Sequence, residues 1–129
     1  MTALSLHGLR ILVVEDNFVL ADALRYLLAG YDGVVTAIAP TVERARAALD
    51  AEGVDVAILD INLNGTSVVP FADHLRGVGI PFVFVTGYGD DPDLLPEHLR
   101  ALPRLEKPVE ADRLIGLLLE LAAPKRALH

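Results

Sequence analysis

The sequence predicts an α/β fold: a five-stranded parallel sheet, order 2-1-3-4-5, with helices on both faces. Three observations lead there. Apolar, β-branched runs of strand length alternate five times with amphipathic stretches of helix length. The apolar runs are continuous, the pattern of parallel strands buried on both sides. Successive parallel strands need right-handed crossover helices, and these cover the sheet on both faces. At 129 residues the chain is expected to be a single domain, residues 1–129 with a core over about 8–123, and to carry no output domain.

Leu9 to Val14 is the first apolar run and stops at Glu15-Asp16-Asn17. Asp16 or Asn17 can cap the helix that follows, whose Leu20, Leu24, Leu27 and Leu28 recur at three- and four-residue spacing, with Gly30 as terminator. Val34 to Ala39 is the second strand. Thr41 caps a helix with Val42, Ala45, Ala48 and Leu49 on one face, ended by Gly53. Val54 to Leu59 is the third strand and runs into Asp60. A loop from Ile61 to Gly65 and a helix from about Thr66 to Arg76 come next. Pro81 to Val85 is the fourth strand, running into Thr86. Pro92 and Pro96 lack the N–H a helix needs, so a short helix starting near Pro96 is expected between Gly87 and Arg100. Pro103 to Glu106 is a short fifth strand. A last helix from about Glu110 to Ala123 is ended by Pro124.

Composition narrows the function. Eleven Lys and Arg against eighteen Asp and Glu give a net charge of −7, which disfavours nucleic acid as a partner. With no Cys there is neither a disulfide nor a thiolate metal site. No signal peptide and no membrane-length apolar run is present, so a cytoplasmic location without membrane contact is expected. His7, His74, His98 and His129 lack metal-ligand spacing and read as surface or incidental residues.

In a flavodoxin-like sheet of order 2-1-3-4-5, ligands bind beyond the carboxyl ends of the strands. Those ends carry Glu15 and Asp16, Asp60, Thr86 and Lys107. Three carboxylates in one cleft repel one another. A hard divalent cation relieves the repulsion, and an all-oxygen ligand set favours Mg²⁺.

These residues, with Gly87 and Pro108, resemble the response-regulator receiver domain of two-component signalling over residues 8–123. The resemblance implies a phosphoacceptor at Asp60, phosphorylated by a histidine kinase or a histidine phosphotransfer protein. It implies Mg²⁺ held by Asp16 and Asp60, by the Asn62 backbone carbonyl, and by Glu15 through water. It implies phosphoryl contacts from Lys107 and Thr86, and a cis Lys107–Pro108 bond. Such a protein accepts a phosphoryl group, and assists its own phosphorylation and dephosphorylation, without being an enzyme in the ordinary sense. Two positions depart from the family. Arg104 stands where receivers commonly carry the aromatic half of an activation switch, and Asn64 stands where they often carry Pro. Phe84-Val85-Thr86-Gly87-Tyr88, together with the missing aromatic, is similar to a subgroup of stand-alone bacterial receivers marked by a Phe-Ala-Thr-Gly run and linked to general stress signalling.

Two other functions fit parts of the sequence. Asp60 to Thr66 resembles the nucleophile loop of haloacid-dehalogenase-type phosphatases, and Gly89-Asp90-Asp91-Pro92-Asp93 is a misspaced echo of their acidic motif. That family places its nucleophile after the first strand, however. A phosphorylation-independent interaction module would not need all five site positions. From Leu114 to Ala123 only Glu120 is charged. Ile115, Leu119 and Ala122 lie partly outside the stripe of Leu114, Leu117, Leu118 and Leu121. The wide apolar arc predicts that strand 5 and helix 5, near Arg104, contact a downstream protein or form a homodimer.

Overall fold

Strict alternation within the strands sorts the apolar side chains into two cores. Ile11, Val13, Val56, Ile58, Val83 and Val85 point to one face of the sheet. Leu12, Val14, Ala57, Leu59, Phe82 and Phe84 point to the other. The computed structural model describes residues 4–87 and 95–126. Its elements are β1 Arg10–Val14, α1 Phe18–Gly30, β2 Val34–Ala39, α2 Val42–Ala51, β3 Val56–Asp60, β4 Asn62–Leu63, β5 Thr66–Ser67, α3 Val69–Val78, β6 Phe82–Thr86, α4 Glu97–Arg100, β7 Arg104–Glu106 and α5 Ala111–Arg126.

The main sheet runs β2-β1-β3-β6-β7 and every pairing is parallel. With the two-stranded β4–β5 hairpin counted apart, this is the expected 2-1-3-4-5 order. Helices α1 and α5 cover the face of Ile11 and Val13 through Leu24, Leu28, Leu114 and Leu118. Helices α2 to α4 cover the other face through Ala45, Phe71, Leu75 and Leu99. The central strand β3 is buried along its whole length.

Local chemistry sets the element ends. The Asn17 side chain accepts a hydrogen bond from the Leu20 N–H at 3.1 Å, and Thr41 accepts from the Arg44 N–H at 3.2 Å; both are N-caps. Gly30 is the last residue of α1, but the left-handed turn that redirects the chain is made by Asp32, with φ 65°. The short α4 begins after Pro96, as expected. Exposed His98, on α4, bonds Asp73 of α3 at 2.8 Å.

The structure corrects the sequence reading in four places. The third strand begins at Val56 rather than Val54. Helix α3 begins at Val69 rather than Thr66, because Asn62–Leu63 and Thr66–Ser67 pair as an antiparallel hairpin. Asn64 and Gly65 form its tip with φ of 50° and 81°, the two positive values that a tight hairpin turn requires. Helix α5 runs past Pro124 to Arg126. Proline's own φ is helical, so near a helix end it costs a hydrogen bond without forcing a stop. Finally, Ile115 and Ala122 are buried in the core, and Leu117, Leu119 and Leu121 pack against it half-buried. The broad arc of α5 faces inward because the helix covers the sheet and meets its neighbours on one wide front. Tyr88, the acidic run from Gly89 to Asp93 with its Pro92, and the tail residues Ala127, Leu128 and His129 lie outside the described residues.

The correction to α5 has a measurable consequence. In urea titration, Ile115→Ala is expected to lower stability by about 2–5 kcal/mol, and Leu119→Ala by less than half of that. Equal losses at the two positions would contradict the burial difference.

Candidate functional site

The parallel register delivers one edge of the sheet as a platform. Val14 is level with Leu59, so the residues that follow, Glu15 and Asp60, emerge side by side. Asp60 is level with Val85, and Thr86 with Glu106, which brings Thr86 and Lys107 to the same edge. The Lys107 N–H donates to the Thr86 carbonyl at 2.8 Å and fixes the start of the lysine stem. The next peptide bond, Lys107–Pro108, is cis.

Glu15 and Asp60 are buried and Asp16 is half-buried. Their ligand atoms lie within 4.8 Å of one another. The Lys107 ammonium reaches Glu15 Oε1 at 3.0 Å and Asp60 Oδ2 at 3.5 Å. The Asn17 N–H donates to Glu15 Oε2 at 3.2 Å, and the Asn62 N–H donates to Asp60 Oδ1 at 3.3 Å. Glu15, Asp16, Asp60 and Lys107 therefore form one cluster. Asn62 joins it through its backbone, and Thr86 borders it through the backbone bond to Lys107.

The sequence reading missed two partners. Asn17 was read as a helix cap, yet its N–H also orients Glu15. Lys107 was assigned to a phosphoryl oxygen, yet here it lies nearer Glu15 than Asp60. An amide two residues after a carboxylate in a strand-to-helix turn could have signalled the first. Nothing local signals the second, because the partners are 92 residues apart in the chain.

The charges explain the protonation pattern. Burial pushes the Asp60 carboxyl up to about 7, helped by its hydrogen bond to Glu15 and by the charge of Glu15, against the opposing pull of Lys107. Burial also pushes Glu15 up, but hydrogen bonds from Asp60, Lys107 and the Asn17 N–H outweigh it and hold this carboxyl below its ordinary value. Lys107 is raised: burial works against its charge, and its bond to Glu15 and the two carboxylate charges more than offset that.

An oxygen-only set of this kind fits a hard divalent cation. Mg²⁺ bonds of about 2.1 Å put adjacent ligands about 3 Å apart and opposite ones about 4.2 Å apart, a spacing compatible with atoms gathered inside 4.8 Å. No buried side-chain nitrogen or oxygen among the described residues lacks a hydrogen-bond partner. A groove of about 440 Å³ opens beside the cluster, lined by Glu15, Asp16, Phe18, Asp22, Arg25 and Arg44 among others.

Buried carboxylates and a lysine thus gather at the carboxyl ends of the strands of a doubly wound parallel sheet, where such folds bind their ligands. Residues 11–119 match the response regulator receiver domain, and the chain belongs to that family. Receivers are in general signalling domains rather than enzymes. The solution structure of SdrG from Sphingomonas melonis Fr1 is similar to this chain at 37% identity and TM-score 0.77, covering 94% of this chain and 98% of that one. The signal receiver domain of a modulated diguanylate cyclase from Desulfovibrio desulfuricans G20 is 28% identical, with TM-score 0.80 over 95% and 99% of the two chains. The receiver domain of the Erythrobacter litoralis PhyR response regulator, at 22% identity, TM-score 0.75 and 88% and 89% coverage, shares the fold. A search of curated proteins finds no match. Among the described residues no helix is long and apolar enough to cross a membrane.

The raised Asp60 sets a pH dependence. Its carboxyl is pushed up to about 7, well above the ordinary value of 3.8. Its contribution to stability is complete below the unfolded value and is lost as the pH rises through the folded one. Glu15, held low, acts in the opposite sense and at lower pH. Metal-free protein is therefore expected to lose several degrees of melting temperature between about pH 5 and about pH 8, and Asp60→Asn is expected to flatten that slope. A wild-type slope unchanged in the variant would contradict the assignment.

Proposed function

We propose that this protein is a phosphoaccepting response regulator, with Asp60 as the acceptor and a phosphohistidine of a histidine kinase or histidine phosphotransfer protein as the donor. The observation that carries the reading is the convergence of buried Asp60 with Glu15, Asp16 and Lys107 at adjacent strand ends. An Asp60 carboxylate oxygen attacks phosphorus as the nitrogen–phosphorus bond of the donor breaks, and the histidine leaves with the electron pair. This chemistry needs in-line positioning and neutralisation of spreading negative charge more than it needs covalent help.

Asp16, Asp60 and the Asn62 carbonyl would hold Mg²⁺, and Glu15 would act on it through water. The ion, when bound, neutralises charge on the transferring group. Lys107 holds positive charge beside Asp60 Oδ2, which favours the ionised nucleophile and meets a phosphoryl oxygen on the product. Thr86, half-buried at the end of β6, supplies a hydroxyl donor to a further oxygen. The Asn62 N–H already bonds the acceptor carboxylate and fixes its orientation.

The protein acts in the cytoplasm and passes its signal by protein contact. A groove of about 520 Å³ follows β7 and the start of α5, lined by exposed Arg104, Glu106, Glu110 and Arg113 among others. This polar groove, rather than an apolar face of α5, is the proposed seat of a downstream protein or a second copy. The run Phe84-Val85-Thr86-Gly87 and the arginine at 104 support a place in bacterial general stress signalling.

Intact mass after incubation with Mg²⁺ and a small-molecule phosphodonor tests the acceptor. One hydroxylamine-labile phosphoryl group is expected on wild type and none on Asp60→Asn; an adduct on both would move the acceptor elsewhere. Mg²⁺ at a hundredfold excess over its dissociation constant is expected to add about 2.7 kcal/mol of stability. Most of that gain is expected to vanish in Asp16→Asn, and a wild type indifferent to Mg²⁺ would count against the cation site.

A further inference from the structure

The hairpin that follows Asp60 is more than a connection. In a two-residue hairpin the residues flanking the tip, here Leu63 and Thr66, exchange backbone hydrogen bonds, and the next pair outward does not. Asn62 stands opposite Ser67 in that outer pair. Its N–H and C=O therefore point away from Ser67, toward the side where its N–H meets Asp60 Oδ1 at 3.3 Å. Its side chain is committed elsewhere, with Oδ1 accepting from the Gly65 N–H across the tip at 2.8 Å. Gly65 holds φ 81° with open space around it, so the glycine is there for its backbone rather than for room. Leu63 and Val68, both buried in the core, pin the two sides of the hairpin to the body.

We infer that the β4–β5 hairpin is a positioning device for the cation: Gly65 and the Asn62 side chain lock the Asn62 backbone with its carbonyl facing the Glu15–Asp16–Asp60 cluster. The inference rests on the cation site proposed above and assigns the geometry of one of its ligands to a turn that the sequence left as loop. Replacing Gly65 by a β-branched residue is incompatible with the positive φ, so the turn reshapes and the carbonyl swings away. Asn64→Gly keeps a turn with two positive φ values and serves as the conservative control.

Calorimetric titration of the whole chain with MgCl₂ tests this, alongside the metal-free melting temperature and the Mg²⁺-induced shift of the Asn62 carbonyl carbon by NMR. Gly65→Val is expected to weaken Mg²⁺ binding about tenfold, as loss of an outer-shell support does. Its metal-free melting temperature is expected to stay within a few degrees of wild type, and the Asn62 carbonyl shift to vanish. Asn64→Gly is expected to bind as wild type does. Wild-type affinity in Gly65→Val, or equal weakening in Asn64→Gly, overturns the inference. Should Gly65→Val fail to fold, Asn62→Ala carries the test. It removes one hydrogen bond and is expected to weaken binding about threefold, and unchanged affinity there overturns the inference equally. A wild type that binds no Mg²⁺ overturns both this inference and the cation site. A wild type that binds, with binding abolished in Asp16→Asn yet intact in Gly65→Val, overturns the hairpin's role alone.

Discussion

Repulsion among carboxylates at the end of β1 and β3 is the constraint from which the rest of this molecule can be understood. Two unit charges 4 Å apart interact by about 4 kcal/mol at the effective dielectric of a protein surface, and here Glu15, Asp16 and Asp60 crowd within 4.8 Å. Left alone they would push the two strand ends apart. The protein answers with the Lys107 ammonium brought across from β7 and with backbone N–H groups of Asn17 and Asn62 aimed at the acids, while the Asp60 carboxyl is pushed up to about 7. The apolar layers above and below the sheet keep the strands from yielding. A bound cation would lower the charge further, which is the physical basis of the cation site proposed above.

Much of this was legible because parallel strands buried on both faces leave a plain trace. A continuous apolar run that ends abruptly in Glu15-Asp16 or Asp60 marks a carboxyl-terminal strand end, and the strand order then says which ends are neighbours. Caps were legible for a similar reason, since Asn17 and Thr41 stand just ahead of periodic leucine or alanine faces. The hairpin was not. Two-residue strands are too short to show a period, and the Asn64-Gly65 signal was absorbed into a loop beside a helix. The α5 arc failed differently. Sequence gives the width of an apolar face but not the width of what it meets, and Ile115 and Ala122 found the sheet rather than solvent.

The pairing of Lys107 with Glu15 belongs to neither case. It depends on three distances set by the sheet: β1 to β3, β3 to β6, and β6 to β7. Each is fixed by core packing beneath the charged edge, through residues such as Phe84, Leu59 and Val83. Precision at the site is therefore inherited from the apolar contacts that hold the strands in register.

The unbroken burial of β3 has a consequence at the level of the gene. Val56, Ala57, Ile58 and Leu59 alternate between the two cores, so adding or deleting one codon inside this strand would turn the shifted residues to the opposite face. The same slip would bring Leu59 or Ile61 to the strand end in place of Asp60. Such a change is therefore expected to be tolerated less within β3 than in an exposed connection. The five residues of β3 thus act as a ruler against which the remaining site positions keep their places.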